Sequence, residues 1–208
     1  MTPTSTLDAP APSSIAPRDK RAMLALFAVW IALATAIGAS GLYSLPRRAL
    51  VPLTIVTLVV AQLVAYRSGV GALRRVADAI DLRWVALFQS VRAPIGATFL
   101  LLVSFGLDAT FARVAGYGDL VSGLFALGLA IFAPRHRGVW LAWSIVGLGD
   151  ILLVIATAQR ILLFSDHPET MSILIGLPGA WLPTFLVPLV VSTHLLVLTR
   201  LRRAAIAR

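Results

Sequence analysis

Six apolar runs, each close to the length that crosses a bilayer, leave this chain little choice of fold. They cover about residues 23–45, 49–66, 84–106, 114–133, 139–159 and 177–199. At ~1.5 Å of helical rise per residue, roughly 20 residues bridge the hydrocarbon layer. With 59% hydrophobic residues in 208, a single soluble domain could not dress its surface in polar groups, so lipid must solvate the excess. In oil every backbone polar group has to be satisfied internally, which restricts spanning segments to helices and closed barrels. The expected fold is an all-α integral membrane protein, a six-transmembrane-helix bundle.

The connections between the runs differ in charge. Thirteen of the eighteen basic residues lie in the N-terminal segment, in every second loop and at the C-terminus: Arg18, Lys20, Arg21, Arg67, Arg74, Arg75, Arg83, Arg135, Arg137, Arg200, Arg202, Arg203 and Arg208. The opposite loops hold Arg47, Arg48, Arg113 and Arg160, and Arg92 is inside a span. Such a bias predicts that both termini are cytoplasmic. Arginines at span ends meet anionic lipid headgroups at the cytoplasmic face, so the net charge of +9 implies membrane lipids as partners and not nucleic acid. The chain has no cysteine, which excludes disulfides, thiolate metal ligands and thiol nucleophiles.

Residues 1–17, with Pro3, Pro10, Pro12 and Pro17 among Ser, Thr and Ala, read as a disordered N-terminal tail. Residues 18–203 then form the transmembrane domain, and 204–208 a short basic C-terminal tail. The first span could be a signal peptide with Gly38, Ala39 and Ser40 near a cleavage site, but its length exceeds the ~7–15 residues of a signal core and favours a retained helix. Between spans two and three, Val70, Leu73, Val76, Ala77 and Ile80 alternate at helical spacing with Arg74, Arg75, Asp78 and Asp81. This predicts either a short helix on the cytoplasmic lipid surface or an extension of span three. Pro178, Pro183 and Pro188 predict a bent last span that packs in the bundle or lines a cavity. Trp84, Trp140, Trp143 and Trp181, with Tyr43 and Tyr66, lie near span ends and are expected as interfacial anchors. Gly118, Ser122, Gly123 and Gly147 suit close helix approach.

Charges inside hydrocarbon cost several kcal/mol unless paired or hydrated, which singles out Arg92, Asp119 and Asp150. Helical rise places Arg92 roughly 12 Å and Asp150 roughly 16 Å from the cytoplasmic edge, a gap that an arginine side chain spans. A contact between them is expected, as a structural pair or as part of a functional site. Asp119 and Asp150 each end a Gly-x-Gly-Asp string, in Gly116-Tyr117-Gly118-Asp119 and Gly147-Leu148-Gly149-Asp150. Intramembrane aspartyl proteases and prepilin peptidases use Gly-x-Gly-Asp for one catalytic carboxylate, and two carboxylates sharing a proton can activate water. Here the lysine that follows the motif in prepilin peptidases and a C-terminal Pro-Ala-Leu are both missing. His194 lies in the cytoplasmic half of span six, at a depth near Gln89 and Arg92. It could shuttle protons or, less simply, ligate haem, yet His136 and His167 fall in loops on opposite faces and supply no second axial ligand. Neither a cofactor nor a metal is expected.

Gln89-x-x-Arg92, Gly96-x-x-Phe99-Leu100, Phe111-Ala112-x-x-Ala115-Gly116-x-Gly118-Asp119-x-x-x-Gly123 and Pro183-Thr184-Phe185-Leu186-Val187-Pro188-Leu189 with His194 resemble a broad group of uncharacterised bacterial polytopic inner-membrane proteins. The resemblance covers roughly residues 84–199, and the group tends to have proline where this chain has Asp108. It implies a bacterial cytoplasmic membrane location and supplies no substrate. Three functional readings stand. In the first, the protein binds or transports a small solute, with proton coupling, through Gln89, Arg92, Asp119, Asp150 and His194; so short a transporter implies a homo-oligomer or a very small design. In the second, it is a membrane hydrolase with an Asp119/Asp150 dyad. In the third, it is a structural or assembly subunit whose polar residues only lock helices together.

Overall fold

The computed structural model describes residues 15–69, 71–134 and 136–206. The expected tail therefore lies outside the described residues up to position 14, as do Val70, Arg135 and Arg208. Among the described residues the chain is helical, without a strand. Six helical segments are long and apolar enough to cross a membrane. They are α1 (Pro17–Ala39); α2 (Leu50–Arg67); α4 (Leu82–Gln89) with α5 (Arg92–Leu102) and a 3-10 turn, Val103–Phe105; α6 (Ala109–Phe132); α7 (Arg137–Phe164); and a π turn, Leu182–Leu186, leading into α9 (Val187–Ile206). Two short helices, α3 (Gly71–Ala79) and α8 (Ser172–Ile175), sit in connections.

Several limits differ from the hydropathy reading. Helix α1 begins at Pro17, inside the expected tail, and stops at Ala39 instead of Leu45. Proline suits a first helical position because its missing N–H has no partner there. The charged turn that follows is held by Asp19, which accepts two hydrogen bonds from Arg75 at 2.7 and 2.8 Å. Helix α6 starts at Ala109, before the apolar run, because the Asp108 carboxylate caps Thr110 N and Phe111 N at 2.8 and 2.9 Å. The last span opens at Leu182 after a turn over 177–180, and α9 continues through Ile206, past the expected boundary at 204. Hydropathy sees where apolar residues end, whereas caps and turns decide where helices do.

Helix α3 is a separate helix and not an extension of span three, since Asp81 caps α4 by accepting from Arg83 N at 2.8 Å. Arg200 of α9 donates to the terminal carbonyls Ala77 O and Ile80 O, the end of a helix where a cation is favoured. Asp78 accepts from Tyr66 at 2.7 Å and pairs with Arg203 at 3.3 Å. The helix thus ties α2 and α9 together. Among the aromatic residues, Trp84 and Trp181 are exposed, as anchors should be. Trp140, Trp143 and Tyr43 are buried, so these three are packing residues and not anchors.

Pro188 cannot donate to Thr184 O, the carbonyl four residues earlier, and the indole N–H of Trp30 takes that place at 2.8 Å. The Trp30 ring also meets Phe185 edge-on at 4.8 Å, which fastens α1 to the bend of the last span. Trp30→Phe keeps the ring and removes the donor. It is expected to lower unfolding free energy in detergent by about 1–2 kcal/mol, and an unchanged midpoint in an SDS titration would refute the joint.

The apolar core is split. One cluster contains Phe99, Phe111, Ala115, Ile151, Val154 and Val190; the other contains Val85, Ala86, Ala126, Leu129, Trp143 and Val197. Between them on four spans lie the buried polar residues Gln89, Arg92, Asp119, Ser122, Ser144 and His194. In α6 the order is Ala115, Asp119, Ser122, Ala126, and in α7 it runs in reverse from Trp143 through Ser144 to Ile151. A polar layer thus crosses the bundle at the middle of its longest helices.

Candidate functional site

The layer exists because α5 and α6 touch backbone to backbone and the span that contains α5 is broken. Pro94 has no N–H for the carbonyl of Ser90, which accepts instead from Ala93 N at 3.0 Å, and the Ser90 hydroxyl donates back to Leu87 O at 2.7 Å. The helix stops at Gln89 and restarts with Arg92 as the first residue of α5. Helix α6 meets that restart with glycines. A side chain at Gly96 would meet Gly116 O at 2.5 Å and Leu120 N at 2.9 Å, and one at Gly123 would collide with the backbone of Ala93. This approach sets Arg92 directly over one turn of α6, between Asp119 and Ser122.

Arg92 is 2% exposed and each of its three side-chain nitrogens donates a hydrogen bond. Its Nε donates to Asp119 Oδ1 at 2.7 Å, and Nη1 donates to Ser122 Oγ at 2.9 Å and to Gly147 O at 3.3 Å. Its Nη2 meets Asp119 Oδ1 at 2.6 Å and donates to Asp150 Oδ2. A guanidinium has five N–H groups; four hydrogen bonds and the close Nη2–Asp119 contact engage all three of its nitrogens. The expected Arg92–Asp150 contact is present, and Asp119 joins the same guanidinium. The carboxylates are not so fully engaged: Asp119 Oδ2 and Asp150 Oδ1 receive no hydrogen bond from the described residues. Two carboxylates on one guanidinium also leave one negative charge over when both are ionised.

The doubled Gly-x-Gly-Asp string has a packing meaning. Gly118 leaves the space that the Asp150 carboxylate fills, so the glycine of one copy seats the aspartate of the other. Gly147 does the same for His194, whose ring atoms Cε1 and Nε2 would lie 2.5 and 2.7 Å from a side chain there, with Ser122 Oγ at 2.9 Å. His194 is fully buried. Its ring packs on Trp143 at 4.8 Å, and Nδ1 is 3.4 Å from Ser144 Oγ. That hydroxyl donates to the His194 carbonyl at 3.1 Å, so it is free to accept from Nδ1. Nε2 then faces the Ser122 and Gly147 side as an acceptor without a partner among the described residues.

Arg92, Asp119 and Asp150 therefore form one cluster, with His194 beside it across Ser122 and Gly147. Gln89 takes no part in it. Its amide donates to Val190 O at 3.1 Å and Thr193 Oγ1 at 2.7 Å, which makes it a joint between α4 and α9. A cavity of about 80 Å³ runs from the cluster toward the α7–α9 connection, walled by α2, α5, α6, α7 and the last span and covered by Met171, Leu174 and Ile175. Arg92 and Asp119 line it; Asp150 and His194 do not. Ser122, Ser144 and Pro94 belong to the site although sequence reasoning did not assign them roles there. The available signal was a proline two residues after an arginine inside an apolar run, which marks a broken helix.

A family model described as a domain of unknown function (DUF8737) matches residues 49–202. No curated protein and no solved structure matches the chain.

Proposed function

The chain belongs to that DUF8737 family, whose function is unknown, and we propose that it is a multi-pass protein of the bacterial cytoplasmic membrane that binds and moves a small solute with proton coupling. An even number of apolar spans returns the chain to the side it left. The arginine bias assigns that side to the cytoplasm, where anionic headgroups meet the span ends.

The observation that carries the functional reading is the charge of the cluster. A guanidinium saturated by two carboxylates at mid-depth leaves one negative charge in hydrocarbon, and an unneutralised charge there is costly. A proton neutralises it, and a site that holds and yields one proton can couple to a solute in the adjoining cavity. Broken spans at mid-depth beside a cavity suit such a role. His194 Nε2 and Ser122 extend the polar layer from the cluster toward the cytoplasmic half, a route for the proton. The hydrolase alternative is weaker, because Arg92 Nη2 contacts both Asp119 and Asp150 and occupies the place where a dyad would hold its water. Gln89 is a helix joint in this reading and not part of the path.

The reading is tested in proteoliposomes containing a pH dye under an imposed pH gradient, with a panel of anionic, neutral and cationic solutes. At least one solute is expected to change the proton flux with the wild type and none with Asp119→Asn, which stays folded. If no solute of any class alters proton movement, the protein is not a coupled transporter.

A further inference from the structure

Only three polar residues, Arg92, Asp119 and Gln159, stand in the cavity wall among some twenty lining residues that are otherwise apolar. All three guanidinium nitrogens of Arg92 are already engaged by the protein's own acceptors, which weakens the usual reason for an arginine to hold an anion. The remaining polar valence at that end belongs to the carboxylate of Asp119, on the side of the cluster that carries surplus negative charge. At the other end Gln159 has a buried Oε1 that accepts no hydrogen bond from a described residue. It lies nine residues beyond Asp150 on α7, roughly 13 Å along the helix axis. The cavity thus has a floor made of the Arg92–Asp119 pair, an apolar barrel and a lone acceptor near its covered end.

From this arrangement we propose that the cavity is a binding site for an apolar-bodied amine in its cationic form, whose ammonium group takes the place of the proton at Asp119. The proposal rests on the proton-coupled reading above and names the substrate class for it. The exchange balances: the ammonium enters with its charge, the carboxylate releases one proton to water, and the cluster stays neutral. The apolar body is solvated by Val51, Ile55, Phe99 and Val154, where burial yields about 25 cal/mol per Å². An anion would compete with the acceptors already on Arg92 and would add to the surplus charge. A neutral chain, including a lipid acyl chain, would fill the barrel without using Asp119.

The test uses the full chain in nanodiscs and three probes with one apolar body: n-hexylamine, 1-hexanol and hexanoate. Calorimetric titrations are run against empty nanodiscs, in buffers of different ionisation enthalpy, so that protons released per ligand are counted. Hexylamine is expected to bind with release of close to one proton. Asp119→Asn should weaken it at least tenfold and abolish the release, whereas Gln159→Leu should weaken 6-amino-1-hexanol more than hexylamine. Equal binding of hexanol, tighter binding of hexanoate, or heats equal to those of empty nanodiscs would overturn the proposal. If solutes of another charge class still move protons in the liposome assay, only the substrate class fails. If none does, the reading beneath it fails as well.

Discussion

Arg92→Met is expected to be the most damaging single substitution in the chain, lowering unfolding free energy by about 3–5 kcal/mol, because it leaves the buried Asp119 and the half-buried Asp150 without a counter-ion. Both aspartates meet the same guanidinium nitrogen, and among the described residues neither pairs with another cation. Ser122 Oγ and Gly147 O lose their donor as well. Removing all the charge should reverse most of that cost: the triple variant Arg92→Met, Asp119→Asn, Asp150→Asn is expected to unfold near the wild-type SDS concentration, since buried ion clusters often contribute little net stability. The same triple variant separates the functional readings. Recovered folding with no solute-dependent proton flux assigns the cluster to function, whereas recovered folding with intact activity in cells assigns it to a scaffold. If the single variant is as stable as the wild type, Arg92 is not saturated by these partners and the site as described does not exist.

Gly96→Ala and Gly123→Ala should come next, each costing about 1–3 kcal/mol or more. A methyl group at 96 would sit 2.5 Å from a backbone oxygen of α6, and one at 123 would overlap the backbone of α5. Backbone cannot turn aside as a flexible side chain can, so α5 and α6 must separate. The first residue displaced is Arg92, which begins α5. Loss of stability should therefore come with loss of proton coupling. Gly128 is the internal control: it is on the same helix and a methyl group there meets nothing within 4 Å. Gly128→Ala should be neutral, or slightly stabilising through helix propensity. If all three variants behave alike, close α5–α6 contact is not what positions the arginine.

The site was only partly legible in the sequence. Three ionic residues in apolar runs are conspicuous, and helical rise alone brought Arg92 within reach of Asp150. Asp119 appeared as a rival catalytic group, because a repeated Gly-x-Gly-Asp string reads like a motif, whereas three of its four glycines, Gly116, Gly118 and Gly147, prove to be seats for side chains of neighbouring helices. Gln89 and His194 show the same limit from two sides. Both stood at a depth near Arg92 by residue count, yet Gln89 turns to α9 while His194 faces the cluster. Depth along a helix follows from counting, but the direction a side chain faces depends on the neighbours chosen by packing.

What the amino-acid order determined by itself is the set of long apolar helices and the ranking of rare charges inside them, because hydrocarbon tolerates neither open backbone nor a lone ion. The chain's side preference, as proposed, also comes from order alone, through arginine placement. Tertiary structure alone decided which carboxylates share the guanidinium, which indole serves the carbonyl freed by Pro188, and where the cavity ends. Those depend on contacts between segments far apart in sequence, where the absence of one methyl group at Gly96, Gly118, Gly123 or Gly147 sets how closely two helices can lie.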